Sequence, residues 1–95
     1  MNGKYARKIL IVDKKQSECQ LLKDLLGQAG FHCTTSTDAD HALHTRDEEG
    51  IRLVIADIRI RGKDGISLFQ DIHEKHPGTC VILLADQTTM ERAIE

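Results

Sequence analysis

The sequence has little that would place it in a membrane, a disulfide scaffold or a nucleic-acid complex. Its three cysteines, Cys19, Cys33 and Cys80, are odd in number and form no CxxC pair, which argues against a disulfide framework and a cysteine-rich zinc site. No apolar run approaches the length of a membrane span, and the formal net charge of -2 provides no field to attract nucleic acid or anionic lipid. We therefore expect a cytoplasmic protein with no membrane contact and no direct nucleic-acid contact.

The apolar residues that are present form short runs separated by helical patterns. Strands are predicted at residues 9–12, 31–35, 53–56 and 81–85. Helices are predicted at 16–28, with Leu21, Leu22, Leu25 and Leu26 as its apolar stripe, then after a cap at Thr37 or Asp38, and from Gly65 onward. A capping box of Thr88 and Glu91 predicts one more helix at the end. This alternation predicts an α/β fold, a doubly wound parallel sheet with helices on both faces.

Three of the predicted strands are followed directly by an acid: Asp13, Asp57 and Asp86. The carboxyl ends of parallel strands meet at one edge of the sheet, where ligands bind at the point at which strand order reverses. Carboxylates gathered there suit a hard cation, or expose one oxygen as a nucleophile. The alternative is that these acids only terminate apolar strands.

These residues resemble the successive landmarks of bacterial response-regulator receiver domains. The matching segments are the strand ending at Asp13, the strand ending at Asp57, the pair Asp64 and Gly65 that follows it by seven and eight residues, and the run at 81–85. The resemblance implies one receiver-like domain over residues 1–95 with flavodoxin-like strand order 2-1-3-4-(5). The fifth strand and last helix of a receiver have no counterpart in this sequence, so the domain is expected to be incomplete at its C-terminus.

The resemblance also implies a function in two-component signalling, with no turnover of a small molecule. A histidine kinase would donate a phosphoryl group to Asp57, and Mg²⁺ would neutralise the phosphoryl oxygens. The implied metal ligands are Asp13, Asp57 and the backbone carbonyl of Arg59, and no organic cofactor is expected. Residues 87–95 resemble receivers attached to transcription activators, so an output domain or a partner protein would receive the signal.

Three positions depart from the family pattern, and all three bear on the chemistry. Lys14 stands where the family has a second acid, which predicts weakened Mg²⁺ binding and a fixed ion pair with Asp57, unless the Lys14 side chain points to solvent. Ala85 stands where the family has the Thr or Ser that bonds the phosphate, and Asp86 adds a negative charge beside it. The leading hypothesis is therefore a receiver module that is weakly or not phosphorylated and acts through protein–protein contacts.

Alternative functions use the same end of the sheet. One is a working phosphoacceptor that regulates an attached transcription-activator domain, and another is a small hydrolase with Asp57 as nucleophile. A third is a nucleotide or anion site built from the basic loop residues Lys14, Arg59, Arg61 and Lys63.

Several other features were assigned structural roles. His41 with His44, and His73 with His76, have helical metal-pair spacing without an evident third ligand. Cys33 and Cys80 are predicted to be buried, and Cys19 partly exposed. The fourth strand is expected to be an exposed apolar edge, which predicts either a fragment of a longer protein or a homodimer or oligomer formed through this strand or the last helix.

Overall fold

The computed structural model describes residues 8–60, 62 and 64–85. These residues form four strands and three helices in alternation. In chain order they are β1 (Lys8–Val12), α1 (Gln16–Gln28), β2 (His32–Ser36), α2 (Ala39–Glu49), β3 (Leu53–Asp57), α3 (Gly65–Lys75) and β4 (Cys80–Leu84). The predicted elements within this part of the chain are confirmed, with shifts of one residue at several ends.

The four strands make one parallel sheet in the order β2-β1-β3-β4. The α/β prediction and the predicted order are therefore confirmed over these strands. The chain first moves outward from β1 to β2, then returns to β3 and continues to β4 on the other side. Because crossovers between parallel strands are right-handed, this reversal places α1 on one face and α2 and α3 on the other. The switch point lies between β1 and β3.

Two apolar clusters cover the two faces of the sheet. The larger one joins β1, β3, α2 and α3 and is formed by Leu10, Val12, Ala39, Ala42, Ile51, Val54, Ala56, Leu68 and Ile72. On the other face, Ile9, Ile11 and Cys19 are buried beneath α1. Alternate β1 side chains thus point into different clusters, which explains why the β1 run is continuously apolar.

The apolar stripe of α1 is divided between core and solvent. Leu22 and Leu26 pack on the sheet, whereas Leu21 and Leu25 are 60% and 54% exposed. The helix predicted from the spacing of these four leucines is confirmed, and two of the four face solvent. A helix buries only the side chains that face the sheet. Within the described residues α1 is the one helix on this face of the sheet, so no second helix covers Leu21 and Leu25.

Helix ends follow the local sequence chemistry. The Asp38 carboxylate accepts hydrogen bonds from the backbone amides of Asp40 and His41, at 2.9 and 3.1 Å, and so caps α2. Asp64 caps α3 in the same manner by accepting from the amide of Ser67 at 2.8 Å. Of the two predicted caps for α2, Asp38 is the one used.

At the edge of the sheet, β4 pairs with β3, and no second neighbour of β4 occurs among the described residues. Ile82 and Leu84 are 45% and 39% exposed. Cys80 is exposed because it begins this edge strand, and Cys19 is buried beneath α1, so the predicted exposures of these two cysteines were wrong. Cys33 is half-buried. The helix predicted from Thr88 lies outside the described residues.

No helix in the described part of the chain is both long enough and apolar enough to cross a membrane.

Candidate functional site

Two of the predicted site residues meet at the switch point of the sheet. Asp13 directly follows β1, and Asp57 is the last residue of β3, the strand hydrogen-bonded to β1. The crevice outside the carboxyl ends of these neighbouring strands is where an open parallel sheet binds ligands. The third predicted acid, Asp86, lies outside the described residues.

Two backbone hydrogen bonds hold Asp13 in place. The backbone amide of Asp13 donates to the carbonyl of Ser36 at 3.1 Å, and Oδ1 of its side chain accepts from the amide of Lys15 at 2.9 Å. The residue is only 4% exposed. Asp13 is therefore a fixed, nearly buried carboxylate at the floor of the site.

The Asp57 carboxylate is half-buried and also accepts a local hydrogen bond. The amide of Arg59 donates to its Oδ1 at 2.7 Å. One residue further along, the amide of Ile58 donates to the carbonyl of Leu84 at 3.0 Å, which ties the end of β3 to the end of β4. The role predicted for the Arg59 carbonyl as a metal ligand stays a prediction.

A third carboxylate, which the sequence reasoning missed, joins these two. Glu18 lies in the first turn of α1. Asp13, Glu18 and Asp57 each offer one oxygen, and these three oxygens all lie within 4.8 Å of one another. The signal that would find Glu18 is the position of the helix start, because the first turn of a helix that follows a strand lies over that strand's carboxyl end.

This arrangement changes the acidity of Asp13. Burial raises the pKa of Asp13 above its ordinary value of 3.8, and the Glu18 carboxylate raises it further, while the hydrogen bond from the amide of Lys15 acts in the opposite direction. The Asp13 carboxyl therefore holds its proton more tightly than a free aspartate does.

Lys14 does not neutralise the cluster through a direct contact. Its side chain is exposed, and no ion pair joins it to Asp57 among the residues that the structure describes. The fixed Lys14–Asp57 pair is thus not formed, and the alternative, a lysine directed to solvent where the helix begins, is observed.

Ala85 follows β4 next to the phosphoacceptor position. Leu84 is the strand partner of Asp57, so Ala85 is one residue beyond that pairing at the same edge of the sheet. It is half-buried and its side chain is a methyl group, so it has no hydroxyl to donate. The replacement of the family's Thr or Ser by Ala85, inferred from the sequence, therefore lies beside Asp57.

The structure explains why Asp64 and Gly65 follow Asp57 at this site. The Gly65 amide donates to the carbonyl of Ile58 at 2.6 Å, and a Cβ on Gly65 would lie 2.6 Å from the Asp57 carbonyl oxygen. Only glycine permits this approach of α3 to the backbone that carries Asp57, while Asp64 caps the helix.

The other predicted site features lie around this centre without joining it. Lys14 and Arg59 are exposed at this end of the sheet, whereas Arg61 and Lys63 lie outside the described residues, so the anion site stays a prediction.

The four histidines with helical spacing have separate partners. His41 is 2.8 Å from the hydroxyl of Ser36, His44 is 3.2 Å from Glu48, His73 stacks on Phe69, and His76 is 2.8 Å from Asp47. His41, His44 and His73 lie in helices, and His76 is the C-cap of α3.

The donor set suits a small, hard divalent cation. Mg²⁺ prefers oxygen ligands, takes one or two carboxylates in protein sites and keeps several waters. Three carboxylates of which one is nearly buried provide such donors. Asp13, Glu18 and Asp57 therefore fit the metal that the resemblance implies.

Comparison with known proteins identifies the family. Residues 9–95 match the model of the response regulator receiver domain. The transcriptional regulatory protein ZraR of Escherichia coli strain K12 is 30% identical over 87 residues, which cover 92% of this chain and 20% of that protein. The DNA-binding transcriptional regulator NtrC of Salmonella typhimurium is 28% identical over 86 residues, or 90% of this chain and 18% of that protein. The chain thus spans about a fifth of these relatives.

Solved structures agree with this assignment. A response regulator receiver domain protein from Clostridium thermocellum superposes with a TM-score of 0.84 at 27% identity, covering 92% of this chain and 71% of that one. The receiver domain of NtrX from Brucella abortus gives a TM-score of 0.82 at 32% identity, covering 90% of this chain and 73% of that one.

Proposed function

The chain belongs to the response regulator receiver family, and we propose that it is a signal-transduction module whose Asp57 is phosphorylated weakly or not at all. Receiver domains are signalling modules. In this proposal the chain acts on an output domain or a partner protein through protein–protein contacts. A histidine kinase is the expected phosphodonor if Asp57 is used.

The observation that carries the proposal is the methyl group of Ala85 beside Asp57. Ala85 directly follows β4, whose last residue is the strand partner of Asp57. A phosphoryl group on Asp57 needs donors to stabilise its oxygens and to transmit its presence to the neighbouring strand. With alanine here, a new phosphate gains no side-chain hydrogen bond from this position.

Lys14 supports the same proposal. It stands where the family has its second acid, so one carboxylate is missing from that position. This change acts on the site and not on the fold, because the strands and helices around Asp57 form as in other receivers. The opposing charge of Asp86 stays a prediction, since that residue lies outside the described residues.

The phosphorylation step itself has a simple balance. An oxygen of the Asp57 carboxylate attacks phosphorus, and the bond between phosphorus and the donor's leaving oxygen or nitrogen breaks, so an acyl phosphate forms. Mg²⁺, when bound, would neutralise the phosphoryl oxygens. Asp13 and Glu18 are the other carboxylates placed to hold it.

Incubation with acetyl phosphate and Mg²⁺, followed by intact-mass measurement, tests the proposal. We expect little modification of the parent chain. The double variant Lys14→Asp with Ala85→Thr restores the missing carboxylate and hydroxyl and should gain modification. Asp57→Asn in that background should remove it.

A matched control separates the site effect from charge alone. Lys23→Asp makes the same charge change at an exposed position in the middle of α1 and should leave the parent's low modification unchanged. Rapid, stoichiometric modification of Asp57 in the parent chain would contradict the proposal.

The second candidate is a working phosphoacceptor that regulates an attached transcription-activator domain. The cluster of Asp13, Glu18 and Asp57 favours it, because these carboxylates would hold the Mg²⁺ that phosphoryl transfer requires. The relatives named above as transcriptional regulators support the output. The acetyl phosphate experiment decides between the two candidates.

Self-association through β4 stays a prediction. The exposed side chains of Ile82 and Leu84 and the unpaired side of β4 within the described residues support pairing with a second copy.

A further inference from the structure

We propose that two copies of this chain pair antiparallel along β4, with the two-fold axis at Ile82, so that their two sheets continue as one. The inference rests on the self-association predicted with the proposed function. It goes further because it assigns the direction of the partner strand and the residues that face each other.

The two ends of β4 show which of its backbone groups bond to β3. The amide of Cys80 donates to the carbonyl of Arg52 at 2.8 Å, and the carbonyl of Leu84 accepts from the amide of Ile58 at 3.0 Å. Successive residues of a strand direct their backbone groups to opposite sides, so every second residue bonds to the same neighbouring strand. Cys80 and Leu84 therefore belong to the same set, which bonds to β3.

The residues between these two ends leave an open edge. By the same alternation Ile82 bonds toward β3, whereas Val81 and Leu83 direct two amides and two carbonyls to the other side of β4. No strand lies on that side among the described residues. An added strand is the partner that satisfies such a row of donors and acceptors.

Antiparallel pairing about Ile82 satisfies all four of these groups. In an antiparallel pair, two residues that face each other exchange both of their backbone hydrogen bonds. With Ile82 opposite the partner's Ile82, Val81 lies opposite the partner's Leu83, and Leu83 lies opposite the partner's Val81. An axis at Val81 or at Leu83 would instead place one of these residues opposite a position outside β4.

The symmetry of two identical copies excludes parallel pairing of β4. In a parallel ladder, the bonding residues of one strand face the non-bonding residues of the other. Two copies of β4 would then be offset by one residue, and a two-fold axis along the strands allows no such offset. A closed dimer, which is the commonest form of homo-oligomer, therefore requires the antiparallel direction.

The side chains of β4 suit contact with a second copy. Ile82 and Leu84 are 45% and 39% exposed, and they share the α1 face of the sheet with Ile55, the strand partner of Ile82. In the proposed register the two Ile82 side chains meet at the axis, and Leu84 lies opposite the partner's Cys80. Residues 80–84 include no charged residue and no proline, which are the residues that commonly keep an edge strand from pairing.

The area of this contact predicts a weak dimer. An edge of five residues is about 17 Å long, so pairing along it covers far less than the roughly 800 Å² per partner of a standard interface. We therefore expect an equilibrium between monomer and dimer, which covalent trapping detects most directly.

Disulfide trapping tests the register. Residues that face each other in an antiparallel pair without exchanging hydrogen bonds have Cα atoms about 4.5 Å apart, and disulfides span about 4.4–6.8 Å between Cα atoms. Ile82→Cys in a Cys80→Ser background should therefore form a covalent dimer under mild oxidation, measured by non-reducing electrophoresis and intact mass. In the parent chain the two Cys80 residues would lie about 13 Å apart along the strands, so crosslinking there should be at least about tenfold slower.

Leu25→Cys in the same Cys80→Ser background is the matched control. Leu25 is 54% exposed, and its helix α1 packs on β1 and β2. We expect this variant to crosslink at least about tenfold more slowly than Ile82→Cys, because its sulfur lies away from the proposed axis. Circular dichroism of each variant verifies that the fold is retained.

Sedimentation velocity measures the association without a covalent bond. The parent chain should shift from monomer toward dimer as its concentration rises. Ile82→Lys should remain monomeric, because it places two ammonium groups opposite each other at the axis. Leu25→Lys makes the same change at another exposed apolar position and should associate as the parent does.

Four results would each overturn the inference. These are equal crosslinking of Ile82→Cys and Leu25→Cys, crosslinking through Cys80 as fast as through Ile82→Cys, a parent chain that is monomeric at every concentration, and equal loss of association in both lysine variants. None of these measurements includes a phosphodonor. Their failure would therefore leave the weak phosphorylation of Asp57 standing, and rapid modification of Asp57 by acetyl phosphate would leave the pairing of β4 standing.

Discussion

Replacement of Gly65 by alanine is expected to destabilise the fold because α3 begins in contact with the backbone of the phosphoacceptor strand. A Cβ at Gly65 would lie 2.6 Å from the carbonyl oxygen of Asp57 and 2.9 Å from Cα of Ile58. An ordinary van der Waals contact begins at 3.4 Å, so the two segments must separate by 3.4 minus 2.6, or 0.8 Å. Both clashing atoms belong to the backbone and have no rotamer by which to move away.

This separation has two energetic consequences. Overpacking of this kind costs about 1–3 kcal/mol. The hydrogen bond from the Gly65 amide to the carbonyl of Ile58, now 2.6 Å, is also lengthened, at a cost of about 0.5–1.5 kcal/mol. The lower entropy of the unfolded alanine chain offsets about 0.4–1 kcal/mol of this. The expected net loss in the free energy of unfolding is therefore about 0.5–4 kcal/mol, with a midpoint of about 2 kcal/mol.

Urea unfolding followed by circular dichroism measures this loss, and a second glycine provides the control. Gly27 lies inside α1, and a Cβ there meets nothing within 4 Å. Gly27→Ala should therefore stabilise the chain by about 0.5–1 kcal/mol. If Gly65→Ala lost less than about 0.5 kcal/mol, or matched Gly27→Ala, the explanation of the Asp64–Gly65 pair by close approach would be refuted.

Two further predictions follow from the raised pKa values. Burial and the Glu18 carboxylate raise the pKa of Asp13, so the folded chain binds the proton of the Asp13 carboxyl more tightly than the unfolded chain does. The stability that this proton contributes is therefore lost as pH rises from 3.8 through the folded pKa. Without divalent cations, Asp13→Asn should be more stable than the parent in urea unfolding at pH 7, and this advantage should vanish below pH 3.8; an unchanged difference would contradict the raised pKa. Burial also raises the pKa of Cys19, so iodoacetamide followed by peptide mass analysis should modify exposed Cys80 first and Cys19 last, and the reverse order would contradict the burial of Cys19.

Sequence patterns were sufficient to predict the order of elements and the end of the sheet that carries the chemistry. A strand that is covered on both faces must be apolar, whereas its exposed end can be polar. An apolar run that stops at an acid therefore predicts a buried strand and the position of its end. Asp13 and Asp57 were placed correctly at neighbouring strand ends for this reason. The Asp38 cap and the start of α3 at Gly65 were also predicted locally.

Only the tertiary structure decided which side chains meet at that end. Glu18 was missed because it is 39 residues from Asp57 in the chain. Its closeness to Asp57 depends on how α1 packs on the sheet, and no local sequence pattern predicts that packing. The direction of Lys14 into solvent depends on the same docking. The sequence by itself determined a receiver fold with Asp57 at its switch point and with altered neighbours at positions 14 and 85. The packing of α1 against β1 and β2 decided that a third carboxylate stands beside Asp57, because contacts between distant segments form only when the helix faces are buried.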